Sequence, residues 1–89
     1  MISSEDRARI REIAERHRVA RVLLFGSAAR GVGEAKDIDL GVEGVDPSRF
    51  FAFYADLLFS LSKPVDLVDL SRRSRFADLI RAEGIPLYG

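Results

Sequence analysis

The seven residues Asp37-Ile38-Asp39-Leu40-Gly41-Val42-Glu43 alternate strictly between aliphatic side chains and acidic or small ones. A period of two is the signature of a β-strand, with Ile38, Leu40 and Val42 on one face and Asp37, Asp39, Gly41 and Glu43 on the other. The chain must therefore bury one face of this strand and tolerate two carboxylates on the other. Residues i and i+2 of a strand stand about 6.6 Å apart on one face, so the two carboxylates can converge on one cation. Asp is a poor strand former, and like charges this close oppose folding unless something neutralises them. A segment that breaks local rules without structural gain is where function is expected. Taken alone, the segment also fits two solvated acids on an open sheet face.

The other elements follow from period and punctuation. A helix is predicted from about Ser4 to His17, capped by Ser3 or Ser4, with Glu5 and Asp6 in its first turn. Ile10, Ile13, Ala14 and His17 make its apolar stripe, and Glu5–Arg9 and Glu12–Arg16 are favourable i,i+4 pairs. His17 reads as a partly buried residue at the helix end. Val19–Phe25 is a near-continuous apolar run and predicts a central strand that stops at Gly26-Ser27. Asp46-Pro47 reads as N-cap and first turn of a helix to about Ser62. Val65–Leu70 predicts a strand, and Ser71 or Ser74 caps a last helix with Phe76, Leu79 and Ile80 inward and Gly84 as its stop. Ile85–Tyr88 fits a short edge strand, the setting in which Pro86 is tolerable. This order implies one α/β (α+β) domain over residues 1–89, a single small mixed sheet with helices packed on one face.

Composition removes whole classes of function. No cysteine is present, so disulfide scaffolds, thiol nucleophiles and Cys-based zinc sites are excluded, and one histidine leaves no His-rich metal site. Lys plus Arg and Asp plus Glu both number 14, which gives no global attraction to nucleic acid. No run approaches the roughly 18 apolar residues of a membrane span, and the amino-terminal segment is too polar for a secretory signal. A cytoplasmic protein is expected. The charge is nonetheless uneven: residues 37–70 hold seven acidic and two basic side chains, with basic excess on both sides.

Two further features carry chemistry. Gly26-Ser27 follows a buried strand, and Ala28–Arg30 can open a short helix, so backbone N–H groups and a hydroxyl converge where phosphate oxygens would fit. Taken in isolation, a Gly-Ser pair reads first as a plain tight turn. Asp66 lies within the apolar run Val65–Leu70, where a carboxylate is expected to be partnered or metal-bound; Asp69, nearer the strand end, reads as a solvated or capping acid. Carboxylates on neighbouring strands beside a phosphate-binding turn suit Mg²⁺-dependent phosphoryl or nucleotidyl transfer, because Mg²⁺ takes hard oxygen ligands and shares its shell with substrate phosphates.

Gly26-Ser27, the nine residues Ala28–Lys36, then Asp37-Ile38-Asp39 and the later Asp66 resemble the DNA polymerase beta-like nucleotidyltransferase superfamily. The run from Gly26 to Val42, the Val65–Leu70 strand and the closing Glu83–Tyr88 resemble its shortest members, the minimal nucleotidyltransferases. The resemblance spans Val19 to Tyr88. It implies that Gly26 and Ser27 hold the triphosphate of ATP or another NTP, and that Asp37 and Asp39 bind one or two Mg²⁺ ions. Asp66 would be the third carboxylate, ligating the catalytic metal and activating the incoming hydroxyl, with Arg30 as a phosphate contact. Two departures stand out: Lys36 replaces a common Ser before the first Asp, and Ala28 replaces a larger residue.

The resemblance also implies a partner. Such proteins are paired with a helical HEPN-type protein in toxin–antitoxin modules, and some transfer AMP from ATP to a tyrosine of that partner. The alternative is a catalytically weak antitoxin that acts by contact. With the sequence ending at Gly89, the helical substrate domain of larger relatives is expected to be lacking. On a helical wheel of residues 47–62, Phe50, Phe51, Phe53, Tyr54, Leu57, Leu58 and Leu61 form a wide stripe expected in the core, whereas Phe59 lies opposite with Ala52 and Ala55 beside it. An outward Phe among small residues is an apolar patch suited to partner binding or self-association.

Overall fold

A computed structural model describes residues 2–31 and 35–89. In chain order they form α1 (Ser4–Arg16), β1 (Arg21–Phe25), α2 (Gly26–Arg30), β2 (Ile38–Glu43), a 3-10 turn (Pro47–Arg49), α3 (Phe50–Ser60), β3 (Val65–Asp69), α4 (Arg75–Glu83) and β4 (Ile85–Tyr88). The caps act as the sequence predicts. Ser3 accepts from the Asp6 N–H at 3.0 Å and Ser74 from the Ala77 N–H at 3.0 Å, each satisfying an N-terminal donor that the helix leaves open. Asp46 accepts from the Ser48 N–H at 2.9 Å and starts the 3-10 turn that Pro47 favours.

The strands lie in the order β3-β2-β1-β4. β1 pairs antiparallel with β2 and β4, and β2 pairs in parallel with β3. β1 is central, as its unbroken apolar run demands, and Pro86 sits on the edge strand β4. Parallel neighbours need a long crossover, and α3 supplies it.

On one face, Val22, Leu24, Ile38, Leu40 and Val42 pack against Ile10, Ile13, Phe53 and Leu57 of α1 and α3. Two polar links join these helices and the turn beyond. The buried Asp6 accepts from the Ser62 N–H at 3.1 Å and from its hydroxyl at 2.5 Å. His17 Nε2 lies 2.6 Å from Asp56 Oδ2, and its ring meets Phe53 edge-on at 5.4 Å. The helix-end histidine is thus structural.

The other face is not bare, which extends the expectation of helices on one side. α4 crosses it, placing Ala77 and Ile80 on Leu23 and Leu70. Gly41 permits this, since a Cβ there would stand 2.8 Å from Leu70 Cδ1 and 3.1 Å from Ile80 Cγ2. Arg81 anchors the helix through Glu43 at 3.2 Å and the Leu70 carbonyl. Because Ala77 and Ile80 make the contact, Phe76 and Leu79, expected inward, are half exposed instead. The wheel of α3 needs the same correction: Phe53 and Leu57 are buried, but Phe51 is 80% exposed and Leu58 49%, beside Phe59 at 90%. α3 is apolar nearly all round, and its packed side is fixed by α1 and the sheet rather than by its own pattern.

Candidate active site

The parallel register places Asp39 directly beside Asp66, and the antiparallel register places Phe25 directly opposite Asp39. Partners across a ladder share a face. Asp66, Asp39 and Phe25 therefore form one row across three strands, on the side away from the main core. Asp66 differs from the sequence expectation in one respect. It is exposed, on β3, which is an edge strand with no strand beyond it among the described residues. Asp37 is exposed just before β2, and Asp39 is half-buried.

Asp39 is the electrostatic centre of the row. Burial, then the charges of Asp66 and Asp37, then a hydrogen bond with the Asp66 carboxyl hold its carboxyl above the ordinary value of 3.8. None of the three carboxylates has an ion-pair partner among the described residues, although seven ion pairs occur elsewhere. Asp39 and Asp66 form the close pair. Among the described residues no group of three potential ligands stands close enough together to make a complete protein metal centre.

Gly26 closes the site on the β1 side. Its φ is +72°, a left-handed conformation that glycine adopts without strain. A Cβ there would lie 3.0 Å from Asp39 Cγ and collide with its carboxylate oxygen. The glycine thus lets a carboxylate stand against the backbone turn. Gly26 and Ser27 open α2, which has no side-chain cap, so no capping side chain occupies its first N–H groups. Arg30 is exposed at the far end of α2. The structure thus brings together Asp39, Asp66 and Gly26, with Ser27 next in the chain and Asp37 at the margin, and leaves Arg30 on the surface.

Two contacts that sequence reasoning missed set this geometry. Lys63 Nζ donates to the Ala35 carbonyl at 2.7 Å, and the Ile38 N–H donates to the Pro64 carbonyl at 2.8 Å. Together they lash the segment leading into β2 to the one leading into β3, and so fix Asp37 and Asp39 relative to Asp66. Only the fold brings these segments together, and neither residue type signals it in advance.

The donor set fits a divalent cation. Hard carboxylate oxygens stand close together with no cationic side chain paired to them among the described residues.

The chain was compared with known proteins. The "Polymerase beta, Nucleotidyltransferase" family profile matches residues 8–89. No curated protein matches at a significant level. Among solved structures, the fold is similar to a toxin–antitoxin structure with AMP-PNP, with a TM-score of 0.76 and 26% identity over 93% of this chain and 73% of that chain. It is also similar to the toxin–antitoxin MntA-HepT, with a TM-score of 0.73 and 22% identity over 98% of this chain and 73% of that one, a likeness that speaks to the fold. The match over nearly the whole sequence, on a mixed four-stranded sheet with paired aspartates beside a glycine turn, identifies the chain as a member of the polymerase beta nucleotidyltransferase family.

Proposed function

We propose that residues 1–89 act as one Mg²⁺-dependent nucleotidyltransferase unit that moves a nucleoside monophosphate, AMP from ATP in the first instance, onto a partner protein. The partner is the helical, HEPN-type toxin of a toxin–antitoxin pair in the cytoplasm, and this chain is the antitoxin. The observation that carries the reading is the Asp39–Asp66 pair beside Gly26, held close without a cation from the protein. The similarity to toxin–antitoxin structures, one of them with AMP-PNP, supports both the nucleotide and the partner. No helix among the described residues is long and apolar enough to cross a membrane.

In this reading the N–H groups of Gly26 and Ser27 and the Ser27 hydroxyl receive phosphate oxygens of the nucleotide. Asp37, Asp39 and Asp66 would hold the metal, which when bound neutralises charge on the phosphates and acidifies a nearby hydroxyl. Asp66, at the open edge, faces the acceptor and takes the proton of its hydroxyl. The acceptor oxygen bonds to the α-phosphorus, the bond from that phosphorus to the bridging oxygen breaks, and pyrophosphate leaves with the electron pair. Asp66 returns its proton to solvent.

A second reading, an antitoxin that acts by contact alone, is favoured by one observation: Phe51, Leu58 and Phe59 expose a continuous apolar side of α3. The same side could join two copies of the chain. Incubation with labelled ATP, Mg²⁺ and the partner separates the readings. Label on the partner, abolished by EDTA, is the expected result. Neutralisation of the toxin without label would leave the contact reading standing.

A further inference from the structure

The row that carries the carboxylates continues into an aromatic pair with no assigned role. Phe25 is directly opposite Asp39 and shares its face. Phe76, from the first turn of α4, meets the Phe25 ring edge-on, with centroids 5.7 Å apart and planes at 84°. Phe25 is half-buried, and Phe76 remains 52% exposed although Ala77 and Ile80 beside it are buried. Val68, one step along β3 on the same side as Asp66, is partly buried and extends the apolar surface between them. The edge-on contact uses one side of the Phe76 ring and leaves the rest of it in water beside the acids.

We propose that the half-exposed Phe76 ring, braced edge-on by Phe25, forms the stacking platform for the nucleobase of the bound nucleotide, and that this platform selects a base by its area rather than by its hydrogen-bonding edge. This rests on the nucleotidyltransferase reading above and deepens it. The argument is chemical. Phe25 is bonded directly to Gly26, the residue whose turn stands against the Asp39 carboxylate. One ligand that touches both must carry phosphates at one end and an aromatic plane at the other, which describes a nucleotide. Phe25 lies one strand spacing, about 4.8 Å, from Asp39 in the ladder, and the Phe76 centroid lies 5.7 Å from that of Phe25, so the rings stand within the reach of a nucleotide whose phosphates sit at the acids. The two rings and Val68 themselves offer no donor or acceptor to read a base edge. Stacking tolerates every base and grows with ring area, so purines are favoured over pyrimidines without discrimination between adenine and guanine.

The test measures binding of Mg²⁺–ATP, Mg²⁺–GTP, Mg²⁺–CTP and Mg²⁺–tripolyphosphate to the wild type, Phe76→Ala and Phe76→Trp. The expected result is ATP and GTP bound alike and more tightly than CTP, with CTP tighter than tripolyphosphate. Phe76→Ala should weaken ATP about tenfold, the scale of one lost base stack, and leave tripolyphosphate unchanged, which also shows that the carboxylate site has kept its form. Phe76→Trp should restore ATP binding. Unchanged ATP affinity in Phe76→Ala would overturn the platform. If transfer to the acceptor protein falls while ATP affinity holds, the occupant is an acceptor side chain, and the inference is likewise overturned. If the wild type binds neither ATP nor tripolyphosphate, the nucleotidyltransferase reading fails and takes the platform with it. Binding of tripolyphosphate as tightly as ATP would sink the platform alone.

Discussion

Sixteen described residues form the buried cluster beneath α1 and α3 on one face of the sheet, and four form the cluster beneath α4 on the other. The larger cluster is closed by polar links at both ends, Asp6 to Ser62 and His17 to Asp56. The smaller one stops short of the strand ends that carry Asp39 and Asp66. Folding free energy scales with apolar area removed from water, so most of the stability of this small domain resides on the first face. The second face is thereby free to hold like charges at an unfavourable distance. Such an arrangement persists only where the surroundings impose it.

That division predicts a steep contrast between the faces. Phe53 is fully buried in the larger cluster, and Phe53→Ala should cost about 3–5 kcal/mol through lost transfer energy and a residual cavity. The urea midpoint reads this, and the variant should be largely unfolded at ambient temperature. Leu79→Ala, on the half-exposed side of α4, should stay within about 1 kcal/mol of wild type. Equal losses would mean that the faces share the stability.

Next in size is a change of opposite sign in two measurements. Asp39→Asn should lower nucleotide transfer by about 10²-fold or more, since the ligand charge offered to the metal falls. The same variant should melt above wild type in EDTA, because it removes a desolvated charge beside Asp66 and Asp37. Mg²⁺–ATP at ten times its dissociation constant should stabilise the wild type by about 1.4 kcal/mol, roughly 6–11 °C in melting temperature for a domain of this size, and should not move the variant. A variant that melts below wild type in EDTA would show that the carboxylate is a structural partner.

A smaller effect follows from pH. The folded state holds the Asp39 proton more tightly than the unfolded chain, so it binds more protons between the ordinary value of 3.8 and the raised one. Stability contributed by this group is therefore present at low pH and lost as pH rises through the raised value. The difference in unfolding free energy between Asp39→Asn and wild type, without metal, should grow in favour of the variant across that interval and level off above it. Metal affinity should fall as pH drops through the same interval. A flat difference would show that the Asp39 carboxyl is unperturbed. The smallest expected change in stability is that of Phe59→Ser, within about 0.5 kcal/mol of wild type because the ring is 90% exposed. Its effect should appear as weaker partner binding or self-association by sedimentation, and no change there would make Phe59 ordinary surface.

Much of the fold was legible because its signals are local. Ser3, Ser74 and Asp46 cap where their side chains reach the next turn, and the period of two in β2 assigns both of its faces without reference to other segments. What could not be read depends on neighbours distant in sequence. α3 is apolar on every side, so its pattern could not place Phe51 and Leu58 outside. Phe76 and Leu79 lie outward because Gly41, far back in the chain, sets where α4 rests. The types of residue at the site were legible in the Asp37-Ile38-Asp39 segment and the Gly26-Ser27 turn. The exposure of Asp66 was not, since it follows from β3 lying outermost in the strand order.

That outermost position has a consequence for solubility. An edge strand presents unsatisfied N–H and C=O groups on which another chain can build, and charged side chains are a common means of discouraging this. β3 carries Asp66 exposed and Asp69 half-exposed, the latter also bent back to the Ser71 N–H at 2.9 Å, while the opposite edge, β4, contains Pro86. Both rims of the sheet are thus guarded against cross-chain β-pairing, and on one rim the guard is a carboxylate of the candidate site. Replacing Asp66 by an apolar residue would remove the third acid and unguard the rim together, leaving Val65–Val68 as an uninterrupted sticky edge. An apolar substitution there would lead to sheet-to-sheet aggregation as well as inactivity, so amide replacements are the informative ones at this position.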